Sequence, residues 1–124
     1  MAKGRKTRRE MLAQEKDGSE SIDIFFIRTV APLLVLRLLY REPCYLVEIP
    51  QRIEDMTNGA VQLSIPYTIC NRLLNAGLIC RNKEIKNGRK REVYQITEKG
   101  MAFHDQQTGA FLARVDSVAN LLRN

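Results

Sequence analysis

The sequence predicts a mostly α-helical fold with one small β-hairpin, an α+β chain with helices before and after the hairpin. Three observations predict it: a helical period over residues 64–76, two short strand-like runs joined by Asn87 and Gly88, and a capped helix start at Thr97. At 124 residues the chain suffices for one domain with a sizeable core and is too short for two ordinary ones. A hydrophobic fraction of 44% and a charged fraction of 27% are ordinary for a globular protein and exclude a wholly disordered chain.

Residues 1–20 are polar and charged and lack a sustained apolar face, so they read as a flexible basic arm. Ser21 is placed to cap a first helix over 22–40. Phe25, Phe26, Ile27, Val30, Leu33, Leu34, Val35, Leu36, Leu38 and Leu39 cover most of its circumference. A helix apolar nearly all round must be buried nearly all round. The core of so small a domain covers only one side, which leaves the other for a partner subunit. Pro32 is expected to kink or divide this helix. A second helix is expected over 46–56, with Ile49 and Ile53 four apart and Pro50 inside the span, and Asn58 and Gly59 mark a turn after it.

In the third helix, 64–76, Pro66, Ile69, Cys70, Leu73 and Leu74 share one face at 100° per residue. Ser64, Thr68, Asn71, Arg72 and Asn75 share the opposite face, Tyr67 falls between the two, and Gly77 ends the helix. Strands are expected over 78–86 and 91–96, because an Asn-Gly pair takes the positive φ values of a tight hairpin turn. Thr97 caps a last helix, along which Met101, His104, Thr108, Phe111, Val115, Val118 and Leu122 follow spacings of three and four, a seam of the kind by which two helices pair. The element order is that of a winged helix-turn-helix over 21–100 with an additional C-terminal dimerisation helix over 101–124. The expected homodimer contacts are Phe25, Phe26, Phe111, Val115, Val118 and Leu122.

Basic charge is concentrated in two places. Lys3, Arg5, Lys6, Arg8 and Arg9 stand against Glu10 alone, and Arg81, Lys83, Lys86, Arg89, Lys90 and Arg91 against Glu84 and Glu92. The rest of the chain holds nine basic and eleven acidic residues, so the formal charge of +6 comes from these two segments. Such a distribution suits contact with a polyanion at particular parts of the chain. Cys44, Cys70 and Cys80 form no C-x-x-C pair, and His104 is the single histidine, so neither a structural metal nor another cofactor is expected. The odd cysteine count and the absence of a signal-peptide pattern fit a reducing cytoplasm, where a DNA-bound protein joins the nucleoid. Asp23, Arg28, Arg37 and Pro32 interrupt the apolar 22–40 stretch and argue against a membrane span. No nucleophile and base are paired by any spacing, so no enzymatic activity is expected.

A major groove about 12 Å wide admits one helix whose polar face reaches base edges, while a hairpin beside it lays Lys and Arg on the backbone. The candidate recognition-helix residues are accordingly Ser64, Tyr67, Thr68, Asn71 and Arg72. Arg pairs with guanine and Asn with adenine, and Tyr67 suits a phosphate bond or partial burial equally. The candidate wing residues are Lys83, Lys86, Arg89, Lys90 and Arg91. Lys3, Arg5, Lys6, Arg8 and Arg9 are candidates for tracking the backbone or entering a minor groove, or else form a solubilising tail. Tyr94 is expected to pack between wing and helices.

The run Gly88, Arg89, Lys90, Arg91, Glu92, Val93, Tyr94, Gln95, Ile96, Thr97, Glu98, Lys99, Gly100 resembles the wing and following helix start of the PadR-like transcription regulators, in which an aromatic residue and Thr-Glu-x-Gly recur. Tyr67 with Arg72, Leu73, Gly77 and Leu78 is similar to the family's recognition helix and its exit. Leu46 and Val47 stand where the family usually has Gly-Tyr, with Glu48 and Ile49 retained. The resemblance implies a homodimer held by the first and last helices that presents its recognition helices to two half-sites of double-stranded DNA and, in some members, binds a small-molecule effector near the dimer interface; the expected role is that of a transcriptional repressor, with activation the alternative. Two other readings fit the same pattern: a winged-helix protein-interaction module, and a DNA-binding protein of replication-terminator or architectural type.

Overall fold

The computed structural model describes residues 19–64 and 66–124, so the basic arm from Lys3 to Arg9 lies outside the described residues. The elements are α1 (Ser19–Arg41), β1 (Cys44–Tyr45), a 3-10 turn (Leu46–Glu48), α2 (Ile49–Met56), α3 (Pro66–Asn75), β2 (Ile79–Lys86), β3 (Arg89–Ile96) and α4 (Glu98–Arg123). The chain divides into two compact units after Val30.

Helix α1 begins at Ser19, so Ser21 lies inside the helix and is not its cap. It runs through Pro32 as one element and is not divided there. Ile22, Ile24, Phe25 and Phe26 are exposed along its first turns. In the second unit, Ala31, Val35, Leu36, Leu38 and Leu39 of the same helix are buried and share the core with Ile49, Ile53, Val61, Leu63, Cys70, Leu73, Leu78 and Ile79.

The second helix starts later than its apolar pattern implies. Leu46, Val47 and Glu48 form the 3-10 turn, and Pro50 falls in the first turn of α2, where a missing N-H leaves no hydrogen bond unmade. Glu48 fixes this junction: its Oε1 accepts from the Tyr45 N-H at 2.9 Å, and its Oε2 lies 3.3 Å from Arg52 Nη2 one turn on. Glu48 and the fully buried Ile49 thus have separate work, one orienting the chain and the other filling the core.

A strand of two residues, β1, pairs antiparallel with β3 through Cys44 with Tyr94 and Tyr45 with Val93, which makes a three-stranded sheet of order β1-β3-β2. Two residues cannot show an alternation, so this strand left no periodic trace in the sequence. The hairpin β2-β3 is regular from Ile79 with Ile96 to Lys86 with Arg89. Its turn residues Asn87 and Gly88 have φ of 53° and 74°, as a two-residue turn that follows the strand twist requires. Arg89 and Lys90 therefore belong to the strand.

The end of α3 and the start of α4 are one bonded junction. Leu78 N-H donates to the Leu73 carbonyl and Gly77 N-H to the Leu74 carbonyl, both at 3.0 Å, with Gly77 at φ 75°. Thr97 Oγ1 accepts from Gly100 N-H at 3.0 Å and donates to the Gly77 carbonyl at 2.7 Å, and Lys99 Nζ donates to the Ala76 carbonyl at 2.8 Å. The Thr97-Glu98-Lys99-Gly100 sequence is thus the clasp that holds α3 against the last helix.

Candidate nucleic-acid interface

Helix α3 buries Cys70 and Leu73, and by its period turns a polar side outward. Tyr67, Thr68 and Arg72 are exposed and Asn71 is half-buried, so four of the five predicted recognition residues lie on one open helix. Ser64 is exposed too, but in the bend ahead of α3 and outside it, because the helix starts at Pro66. A proline favours that first helical position.

Lys83, Lys86, Arg89, Lys90 and Arg91 are all exposed, but not as one patch. Strand alternation with the observed pairing sends Lys83, Ile85, Lys90 and Glu92 to one face of the hairpin and Glu84, Lys86, Arg89 and Arg91 to the other. The first face continues into the core through Tyr94 and Cys44, both buried. Tyr94 is fully buried, as its sequence position implied, and among the described residues its hydroxyl makes no close hydrogen bond. Burial pushes the Tyr94 hydroxyl pKa up, opposed by the Arg81 guanidinium beside it. Arg81 is the direct strand partner of Tyr94 and lies 3.9 Å from Glu92. It counted in the charge of this segment but carried no signal of its own as a site residue.

The second face carries an aromatic that no sequence pattern marked. Tyr45 donates its hydroxyl to Glu84 Oε1, and its ring has Arg91 Cζ at 5.3 Å and Lys86 Nζ at 5.8 Å from its centroid. The hydrogen bond to Glu84 raises the Tyr45 pKa, so the hydroxyl remains a donor at neutral pH. A groove of about 510 Å³ lies between Tyr45, Leu46 and Val47 on one side and Arg89, Lys90, Arg91 and Glu92 on the other.

Along α4, Val115, Val118 and Leu122 are exposed and Phe111 is half-buried; Phe25 and Phe26 on α1 are exposed as well. His104 departs from the predicted seam. It is buried inside the subunit, its ring centroid 4.9 Å from that of Tyr40 and its Nδ1 3.1 Å from Asp105 Oδ1. Spacing alone could not separate an inward position from an outward one at this end of the helix. Among the described residues no group of three or more His, Cys, Asp or Glu is placed to hold a metal ion, and no helix is long and apolar enough to cross a membrane.

The model of the family described as "Transcriptional regulator PadR-like family" matches residues 35–106, from the last third of α1 into α4. Among solved structures, a PadR-family transcriptional regulator from Eggerthella lenta is similar at 22% identity and a TM-score of 0.74, covering 89% of this chain and 96% of that one. A transcriptional regulator from Clostridium thermocellum matches at 22% identity and a TM-score of 0.70, covering 77% of this chain and 95% of that one. PadR of Bacillus subtilis in complex with operator DNA matches at 17% identity and a TM-score of 0.58, covering 64% of this chain and 46% of that one. At these identities the likeness is one of fold, the winged helix. No curated protein matches the chain.

Proposed function

The chain belongs to the PadR-like family of transcriptional regulators, and from that premise we propose that it is a repressor that binds duplex DNA as a homodimer, with α3 in the major groove and the β2-β3 hairpin on the adjoining backbone. The observation that carries this reading is the open polar side of α3 standing one clasped turn away from a hairpin whose five Lys and Arg candidates are all exposed. The complex of Bacillus subtilis PadR with operator DNA supports the choice of DNA as partner. In this reading Arg72 and Asn71 meet base edges, Tyr67 and Thr68 meet base or phosphate, and the wing residues meet phosphate. The homodimer is supported by apolar side chains left open on α1 and α4, among them Phe25 at 63%, Val118 at 56% and Leu122 at 79% exposure. A small-molecule effector, where one acts, belongs at that dimer interface.

The test is titration of the protein with duplex DNA from its own upstream region over a range of salt. The wild type is expected to bind with a steep log-log salt dependence, and changing Arg89, Lys90 and Arg91 together to Ala is expected to flatten it by about 1 for each phosphate no longer neutralised. An unchanged slope in that variant overturns the wing's role, and a wild type indifferent to duplex DNA favours a protein-interaction module. Repression is read from a reporter driven by the same upstream region, which the protein is expected to silence.

A further inference from the structure

Glu84 and Arg91 are direct partners across the hairpin, an arrangement in which opposite charges ordinarily attract. Among the described residues, however, Glu84 is in no ion pair. Its carboxylate is held by the Tyr45 hydroxyl, while the Arg91 guanidinium lies over the Tyr45 ring. Tyr45 reaches both because its pairing with Val93 sets it on the hairpin face that carries them.

We propose that Tyr45 is a positioning residue of the DNA interface: by engaging Glu84 with its hydroxyl and Arg91 with its ring, it keeps the Arg91 guanidinium unpaired and open to a phosphate. The proposal rests on the DNA-binding reading above. Counterion release counts only the basic groups that neutralise phosphate, so an Arg91 paired with Glu84 drops out of that count. The groove between Tyr45, Leu46, Val47 and the 89–92 strand gives a phosphate room beside the freed guanidinium. Glu84 is the one acidic side chain on a face that otherwise presents Lys86, Arg89 and Arg91, so its occupation by Tyr45 decides how basic that face is.

The experiment measures duplex affinity against salt for the full chain and for R91A, Y45F, E84Q and Y45F/E84Q, with thermal unfolding of each as a check on folding. R91A is expected to lower the log-log slope by about 1. Y45F keeps the ring but frees Glu84 to pair with Arg91, and its slope is expected to move toward that of R91A, with binding about threefold weaker at low salt. Adding E84Q to Y45F is expected to restore the slope, whereas E84Q alone changes it little. Y45L, which removes ring and hydroxyl together, is expected to act in the same direction and further, and supplies the reading if Y45F unfolds. A Y45F slope equal to wild type where R91A is reduced overturns the proposal, as does an equal effect of E84Q with and without the tyrosine hydroxyl. A wild type that does not bind duplex DNA overturns the DNA reading itself, and the two failures are distinct.

Discussion

Gly100 occupies a place where a Cβ would lie 1.9 Å from the Leu78 carbonyl oxygen and 2.7 Å from Ile96 Cγ1. The same Leu78 carbonyl accepts from Thr97 N-H at 3.1 Å, so it is fixed and cannot give way. G100A is therefore expected to destabilise the fold by about 1–3 kcal/mol or more, seen as a lower urea midpoint. The cysteines behave differently from one another. Burial pushes the Cys44 and Cys70 thiols up to about 11, above their usual value of 9.0. A thiol whose folded pKa is raised adds stability that is fully present below about pH 9 and is lost as pH rises through about 11. Urea unfolding is thus expected to ease over that alkaline window, and at neutral pH a thiol reagent is expected to reach the half-buried Cys80 well before Cys44 or Cys70. The burial of Cys70 and Tyr94 was legible, one from helical period and the other from its place between wing and core. Tyr45 was not, because its role depends on a two-residue strand and on partners 39 and 46 positions away.

At the level of elements, what the sequence showed best was whatever repeats or caps. The period of α3, the Asn87-Gly88 turn and the Thr97 cap are local and appear where expected. The start of α2 did not, since the apolar spacing of Ile49 and Ile53 continues backwards through Leu46 although Pro50 confines the helix to its own side. Charge counting likewise found the wing but not its two faces. With Lys83 and Lys90 on one and Lys86, Arg89 and Arg91 on the other, a hairpin laid along a single strand of backbone cannot use both equally. K83A/K90A and R89A/R91A are therefore expected to differ in salt slope, and equal reductions would mean that the hairpin inserts edge-on.

For the whole molecule, composition bounded the size of the core and located the positive charge, but the partner of the remaining apolar surface is a property of the assembly and leaves only a seam in one chain. That seam, Val115, Val118 and Leu122 on α4, is one basis for the proposed dimer, and the exposed Phe25 and Phe26 on α1 are another. V118E/L122E is expected to shift the sedimentation coefficient to that of a monomer and to weaken duplex binding, since two half-sites bound together are held far more tightly than either alone. DNA recognition by a symmetric dimer is tested most directly by selecting bound sequences from a random duplex pool. An enriched palindrome, its half-sites one helical turn or a multiple apart, is the expected result; recovery of the pool without enrichment, or of a single asymmetric half-site, would contradict it.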